Sequence, residues 1–194
     1  MQIIPQSSFK PVRWKNGTGT THEAIRVPEV GDAFVWRVSV AQIDASGPFS
    51  DFAAYNRTMV LLKGNGLRLK FDHGQQHTLV RVGEMAQFDG ALRTHCHLLD
   101  GPCVDLNLMV AKTKPMIARV ESLQGNMDIQ ATQSESALIF GIDAGLGLDV
   151  GDDGPRRLQP WDLAIVTNGA VRVTPEPRRS PAPAAVFVAT IHHS

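Results

Sequence analysis

Hydrophobic and polar residues alternate with a period of two along several segments of the chain, and this alternation predicts β-strands. The clearest segments span residues 34–41, 67–71 and 104–110. Shorter runs of aliphatic and β-branched residues follow at 137–142, 163–167, 171–174 and 185–191. No long amphipathic helix is evident, and residues 50–56 are predicted to form no more than a turn or two of helix.

Glycine and proline separate these segments, which is typical of the turns between short antiparallel strands. The turns are predicted at 47–48, 64–66, 101–102, 151–155 and 175–183. Many short strands joined in this way indicate an all-β protein that folds as an antiparallel sandwich or barrel.

A weak internal repeat suggests that the chain contains the same β unit twice. Residues 64–69 (GNGLRL) resemble 145–150 (GLGLDV), and 83–86 (GEMA) resemble 161–164 (WDLA). The two matches occur in the same order and at a similar separation, which indicates duplication rather than chance. We therefore predict two halves that meet near residue 112.

Composition and charge argue against several classes of protein. The chain has 194 residues with 19 basic and 19 acidic side chains, whereas nucleic-acid-binding proteins normally carry a net basic surface. No apolar stretch approaches the roughly 18 residues of a membrane-spanning helix, and the N-terminus lacks the apolar core of a signal peptide. Cys96 and Cys103 form neither a CxxC motif nor a disulfide framework. We expect a cytoplasmic protein without nucleic-acid or membrane partners.

Polar residues interrupt the apolar strands in a pattern that suggests a binding site. Arg37 and Ser39 are two residues apart and project from one face of a strand, and so do Asp105 and Asn107. Arg57 stands at the head of another apolar strand and could add a second guanidinium. Two arginines would suit a dicarboxylate, because each matches a carboxylate bidentately. The alternatives are a solvated sheet face, or an Arg37 that Asp105 neutralises.

Residues 14–23 (WKNGTGTTHE) are rich in glycine and hydroxyl groups, so their backbone N–H groups could form a concave anion site. They match neither a Walker loop nor the GxGxxG motif. Composition alone favours the alternative, a structural loop in which Trp14 packs into the core.

His95 and His97 would share one face of a strand, as two metal ligands do. Asp100 is the nearest acidic residue and the other histidines are scattered, so we favour partly exposed strand histidines over a metal site. The sequence has no GxSxG elbow and no cysteine-nucleophile signature, and nothing in it indicates an enzyme.

Four segments together resemble the HutD/Ves family, and their order and spacing match across residues 11–110. The segments are residues 14–23, 36–39, 47–57, and 88–90 together with 96–109. The resemblance implies a cupin-like fold with two RmlC-like jelly-roll β-barrel halves in one chain, residues 1–112 and 113–194. This sequence departs from the family where Thr18 replaces a common glycine and where Ala91 stands in place of a frequent acid.

The same resemblance implies a function. Family members encoded with histidine-degradation genes are regarded as modulators of that pathway that sense an intermediate such as formylglutamate or urocanate. The family is not established as enzymatic and lacks the usual cupin metal motifs, so we expect no metal and no cofactor. The matched polar positions, which we predict to bind ligand, are Asn16, Thr20, Arg37, Ser39, Arg57, Asp105 and Asn107.

The leading hypothesis is therefore a non-enzymatic protein that binds a small anionic metabolite through its carboxylates. Arg37 and Arg57 would bind the carboxylates, while Asp105 would hold one arginine in place. The first alternative is a metal-dependent cupin enzyme that uses His95 and His97. The second is an interaction module that binds a pathway protein through a sheet edge and could also pair as a homodimer.

Overall fold

The computed structural model describes residues 1–14, 19–31, 33–151, 154–177 and 183–193 of the chain. A 3-10 turn, Gln6–Ser8, lies between the first two strands. The strands, in chain order, are β1 (Gln2–Ile4), β2 (Lys10–Arg13), β3 (Gly19–Val27), β4 (Trp36–Ile43), β5 (Gly47–Pro48), β6 (Tyr55–Lys63), β7 (Leu67–Phe71), β8 (Gln76–Leu79), β9 (Met85–Asp89), β10 (Thr94–Leu98), β11 (Cys103–Ala111), β12 (Met116–Leu123), β13 (Met127–Ala131), β14 (Glu135–Gly141), β15 (Leu146–Asp149), β16 (Pro155–Leu158), β17 (Leu163–Val166), β18 (Gly169–Pro175) and β19 (Ala184–His192).

The all-β prediction is confirmed. Each segment with two-residue alternation lies on a strand, because alternation lets one face of a strand enter an apolar core. Residues 50–56 form turns and the start of β6 rather than helix. Among the described residues, none lies in a helix long and apolar enough to cross a membrane.

The first compact unit spans Phe9–Thr113. It has a six-stranded sheet in the order β2-β3-β4-β11-β6-β9 and a four-stranded sheet in the order β5-β10-β7-β8. Buried side chains from both sheets form one apolar cluster, in which Met59 and Leu61 of the larger sheet join Leu67 and Leu69 of the smaller one. Burial of this apolar surface is the main source of the unit's stability.

The second compact unit consists of Met1–Ser8 and Lys114–Ser194. Its sheets have the orders β1-β17-β14-β19-β12 and β13-β18-β15-β16. The N-terminal strand joins this unit because Gln2, Ile3 and Ile4 pair with β17. The sequence-based division into barrel halves at residue 112 stays a prediction.

The two units repeat one strand order, which supports the internal repeat read from the sequence. The order β4-β11-β6-β9 in the first unit corresponds to β12-β19-β14-β17 in the second. Gly83 and Trp161 both have positive φ, and their N–H groups donate to the carbonyls of Leu61 and Gly141, respectively. Duplication therefore extends to details of the backbone.

The structure also corrects the register of one repeat. Leu67 pairs with Leu79, and Leu146 pairs with Leu158. Leu67 is therefore equivalent to Leu146, whereas the glycine pattern aligns Leu67 with Leu148. The glycine pattern is misleading because Gly64, Gly66 and Gly145 precede their strands, whereas Gly147 lies within β15.

We expect Gly64→Ala to destabilise the first unit more than Gly74→Ala. Both glycines have positive φ, which costs a residue with a Cβ atom about 1 kcal/mol. A Cβ at Gly64 would also lie 2.7 Å from the Pro102 carbonyl oxygen, whereas one at Gly74 meets nothing within 4 Å. The clash should add roughly 1–3 kcal/mol, measurable by urea unfolding. Equal losses for the two variants would contradict the described packing.

Candidate functional site

A cavity of about 350 Å³ opens on the inner face of the six-stranded sheet in the first unit. Strands β3, β4, β6 and β11 and the segment after β5 supply its walls. The lining residues are Val12, Trp14, Thr21, Glu23, Arg26, Arg37, Ser39, Ala41, Phe49, Ser50, Phe52, Arg57, Asp105, Asn107 and Met109. This volume suits a small metabolite.

Strand register brings the two predicted arginines together. Met109 on β11 lies opposite Arg37 on β4 and also opposite Arg57 on β6. Directly paired residues point to the same face of an antiparallel sheet, so both guanidinium groups enter the cavity on either side of Met109. Two residues before Met109 on β11, Asn107 likewise lies opposite Ser39 on β4.

A chain of hydrogen bonds connects Arg57 to the carboxyl group of Asp105. Arg57 Nη2 donates to Asn107 Oδ1 at 2.9 Å, and Asn107 Nδ2 donates to Asp105 Oδ2. All three side chains are buried. Among the described residues, Arg57 Nε and Asp105 Oδ1 have no hydrogen-bond partner although both atoms are buried. The site therefore contains unused hydrogen-bonding capacity, which buried polar groups seldom keep.

Aromatic rings surround both guanidinium groups. Phe52 lies between them, with its ring centroid 5.3 Å from Arg37 Cζ and 5.6 Å from Arg57 Cζ. The rings of Phe49 and Phe88 lie 5.1 Å from Arg57 Cζ. Cation–π contacts of this kind stabilise a cation away from water while leaving its N–H donors available.

The cavity carries an excess of positive charge. Burial lowers the pKa of Arg57 to about 10, although Asp105 opposes that shift. Burial likewise raises the pKa of Asp105 to about 8, against the influence of Arg57. Burial therefore favours the uncharged form of Asp105, whereas both arginines stay charged at neutral pH. Arg37 has a nearby carboxylate, since its Nη1 lies 3.9 Å from Glu23 Oε2.

Most of the predicted ligand-binding residues meet in this cavity. Those that line it are Arg37, Ser39, Arg57, Asp105 and Asn107. Thr20 does not line it, whereas its neighbour Thr21 does, because successive residues of β3 point to opposite faces. Asn16 lies outside the described residues.

The structure contradicts the alternative in which Asp105 neutralises Arg37. Arg37 pairs with Glu23, whereas Asp105 acts on Arg57 through Asn107. The ion pair of Glu23 with Arg37 could not be predicted from local spacing, because Glu23 reaches Arg37 only through the pairing of β3 with β4, where Glu23 lies opposite Ser39.

Several further residues shape the site and were not predicted as part of it. Thr21 and Glu23 keep the same two-residue spacing as Arg37 and Ser39, so the alternation was present in the sequence but not recognised. Trp14 Nε1 donates to Thr21 Oγ1 at 2.7 Å, and the Trp14 ring packs edge-on against Phe49. Trp14 is thus part of the cavity wall.

His95 and His97 lie together on β10, away from the cavity. Their ring centroids are 4.4 Å apart, and in the adjacent strand they face Lys70 and Arg68. Partial desolvation and the charges of these neighbours lower the pKa of His97. Within the described residues, no three His, Cys, Asp or Glu side chains cluster as metal ligands would.

The two cysteines are buried thiols. Burial raises the pKa of Cys96 to about 12, and it also raises the pKa of Cys103. Both therefore remain thiols at neutral pH, which makes them poor nucleophiles.

The sequence of the chain matches a known protein family and a relative of similar length. A family model described as HutD matches residues 6–180 of the chain. A 21.2 kDa protein from the region 3′ of hutC in Pseudomonas putida is 32% identical over 163 residues, which cover 84% of each chain.

Solved structures resemble the whole chain. A conserved protein of unknown function from Pseudomonas aeruginosa PAO1 is 29% identical with a TM-score of 0.83, over 98% of this chain and 97% of that chain. HutD from Pseudomonas fluorescens SBW25, solved in a formate condition, is 25% identical with a TM-score of 0.81, over 100% and 99%. Oxalate decarboxylase from Lactobacillus farciminis, at 8% identity and a TM-score of 0.66 over 98% and 86%, shows similarity of fold alone. The cupin-like character of the β fold is confirmed.

We expect Asp105→Asn to change how stability depends on pH. The folded pKa of Asp105 is raised, so between about pH 4 and 8 the folded state holds a proton that the unfolded state has released. The free energy of unfolding of the natural protein should therefore fall relative to the variant as pH rises across this range, by at most about 1.4 kcal/mol per pH unit. Chemical unfolding of both proteins at several pH values measures the difference.

The matched control is Asp51→Asn, which neutralises an exposed carboxyl group. Its pH dependence should parallel that of the natural protein. Parallel curves for Asp105→Asn as well would mean that Asp105 is ionised in the folded state.

Proposed function

The chain belongs to the HutD family, as its sequence resemblance predicted, and from this premise we propose that it binds an anionic intermediate of histidine degradation. The family links the protein to histidine utilisation. In our proposal the bound metabolite modulates that pathway, and the protein is a cytoplasmic binder rather than an enzyme. The metabolite occupies the cavity of the first unit.

The observation that carries this proposal is the convergence of two arginines whose charges exceed the local negative charge. Arg37 and Arg57 flank Met109, Glu23 offsets one of them, and burial favours the uncharged form of Asp105. A buried cation without a matching anion is costly, so a negatively charged ligand would stabilise the site.

The second unit provides an internal reference for what the fold alone requires. Through the strand registers, Arg57 is equivalent to Ala137, Asp105 to Val186 and Asn107 to Val188. These three residues belong to the apolar core of the second unit. The same strand order thus forms with apolar side chains at these positions, which supports a functional reason for the polar set in the first unit.

A ligand with two carboxylates fits the cavity best. Arg37 and Arg57 can each receive one carboxylate, and Ser39 offers a hydroxyl beside them. Formylglutamate has two carboxylates and a polar formyl group. Urocanate has one carboxylate and a flat ring, which the phenylalanine rings would accept. We therefore propose formylglutamate as the leading ligand and urocanate as the next.

The carboxyl groups of the cavity support binding rather than acid–base catalysis. Glu23 faces Arg37, and Asp105 is fully buried against Asn107. Each carboxyl group thus interacts with a neighbouring side chain of the cavity wall, and in our proposal neither acts as a general base.

Ligand binding is tested first by calorimetry and thermal unfolding with formylglutamate, urocanate, glutamate and formate. Formylglutamate at about 100 times its Kd should stabilise the protein by roughly 2.7 kcal/mol. Arg37→Gln should weaken binding roughly tenfold to a hundredfold, because a charge-assisted hydrogen bond is lost. Arg68→Gln removes an arginine outside the cavity and should leave affinity unchanged. Failure of all four anions to bind the natural protein at millimolar concentration would refute the proposal.

A second test exchanges the polar set for its counterpart in the other unit. The triple variant Arg57→Ala, Asp105→Val, Asn107→Val should fold with at least the stability of the natural protein, because apolar replacement of a buried polar network is often neutral or stabilising. It should no longer bind formylglutamate. Unfolding curves and calorimetry measure the two properties. A variant that fails to fold would mean that the polar set serves the fold.

A further inference from the structure

We propose that Asp105 is a positioning residue that makes the cavity selective for anions and couples anion binding to the uptake of a proton. It does so by orienting Asn107 toward Arg57 while remaining uncharged itself. This inference rests on the proposed function, because it concerns the ligand of the same cavity.

The geometry separates Asp105 from the arginine it influences. Asp105 is fully buried, and the amide of Asn107 stands between its carboxyl group and Arg57. The Asn107 amide donates to Asp105 and accepts from Arg57, so its orientation is determined at both ends. Asn107 holds Nη2 of Arg57, whereas Nε of Arg57 is buried without a hydrogen-bond partner.

The surroundings of Asp105 contain few groups that could change its protonation. Arg57 approaches from β6, and the titratable thiols that interact with Asp105 are Cys96 on β10 and Cys103 on β11. Its partners in the neighbouring strands are Ala41 on β4 and Leu61 on β6, which do not titrate. Among the described residues that act on Asp105, Arg57 is thus the charged one, and Arg37 acts on Arg57 in turn.

The protonation state of Asp105 decides how much positive charge a ligand meets. When Asp105 carries a proton, the charge of Arg57 remains available to an anion. When Asp105 ionises, its negative charge offsets Arg57 and opposes the anion. By linkage, an anion bound at Arg57 favours protonated Asp105, so binding takes up a proton from solvent wherever free Asp105 is partly ionised.

The free protein tests the first part of the inference without any ligand. Infrared spectra of protein with isotopically labelled aspartate should show a protonated carboxyl band at pH 6 that fades as pH rises above 8. The band should be absent in Asp105→Asn. A natural protein without this band at pH 6 would overturn the inference, whether or not the cavity binds an anion.

Calorimetry with formylglutamate tests the second part, since this ligand has no group that titrates between pH 6 and 9. Its affinity for the natural protein should fall as pH rises above 8, by up to tenfold per pH unit. Affinity of Asp105→Asn should remain nearly constant over the same range. Titrations in buffers of different ionisation enthalpy should show proton uptake for the natural protein and none for the variant.

The control is Glu23→Gln, which removes the other carboxyl group of the cavity and should keep the pH dependence. Binding with the same pH profile in the natural protein and Asp105→Asn would overturn the coupling while sustaining the proposed function. Absence of binding to the natural protein would refute the proposed function, and with it the coupling, while the infrared band would still report the protonation of Asp105.

Discussion

The register of strand β11 with its two neighbours is the constraint on which the site depends. Because Met109 pairs with β4 on one side and β6 on the other, Arg37 and Arg57 must enter the same cavity. Two like charges at this depth are unfavourable by themselves, and burial lowers the pKa of both. Aromatic rings and the Asn107 amide stabilise them in place of water. The paired strands thus hold two buried cations on one face of the sheet, which is unfavourable without a matching anion.

Because the two units share one strand order, comparing them distinguishes what the fold requires from what the site requires. Both units use one strand order and comparable turns, including the positive φ of Gly83 and Trp161. Asp162 accepts from the N–H of Gln159 as Glu84 accepts from the N–H of Arg81, so even the turn that precedes β9 and β17 is alike. The inner faces nevertheless differ, because one carries the polar set and the other is apolar. The fold therefore tolerates either kind of inner face.

Much of the site could be predicted because strands impose a simple local rule. Two-residue spacing placed Arg37 with Ser39 and Asp105 with Asn107 before any pairing was known. The same rule could not choose between Thr20 and Thr21, since both are threonine and only the pairing of Thr21 with Ala41 reveals its face. Local spacing also could not show which carboxyl group interacts with which arginine, because Glu23 and Asp105 lie on other strands than the arginines.

The amino-acid sequence by itself determined the all-β class, the positions of several strands, the presence of a repeat and the residues that carry the charge, because alternation and turn residues act over a few positions. Only the tertiary structure decided which strands pair, that β1 joins the second unit, and that Asn107 rather than a direct ion pair connects Asp105 to Arg57. Those outcomes depend on register between distant segments and on burial. Both arise from packing of the whole unit, and neither can be read from neighbouring residues.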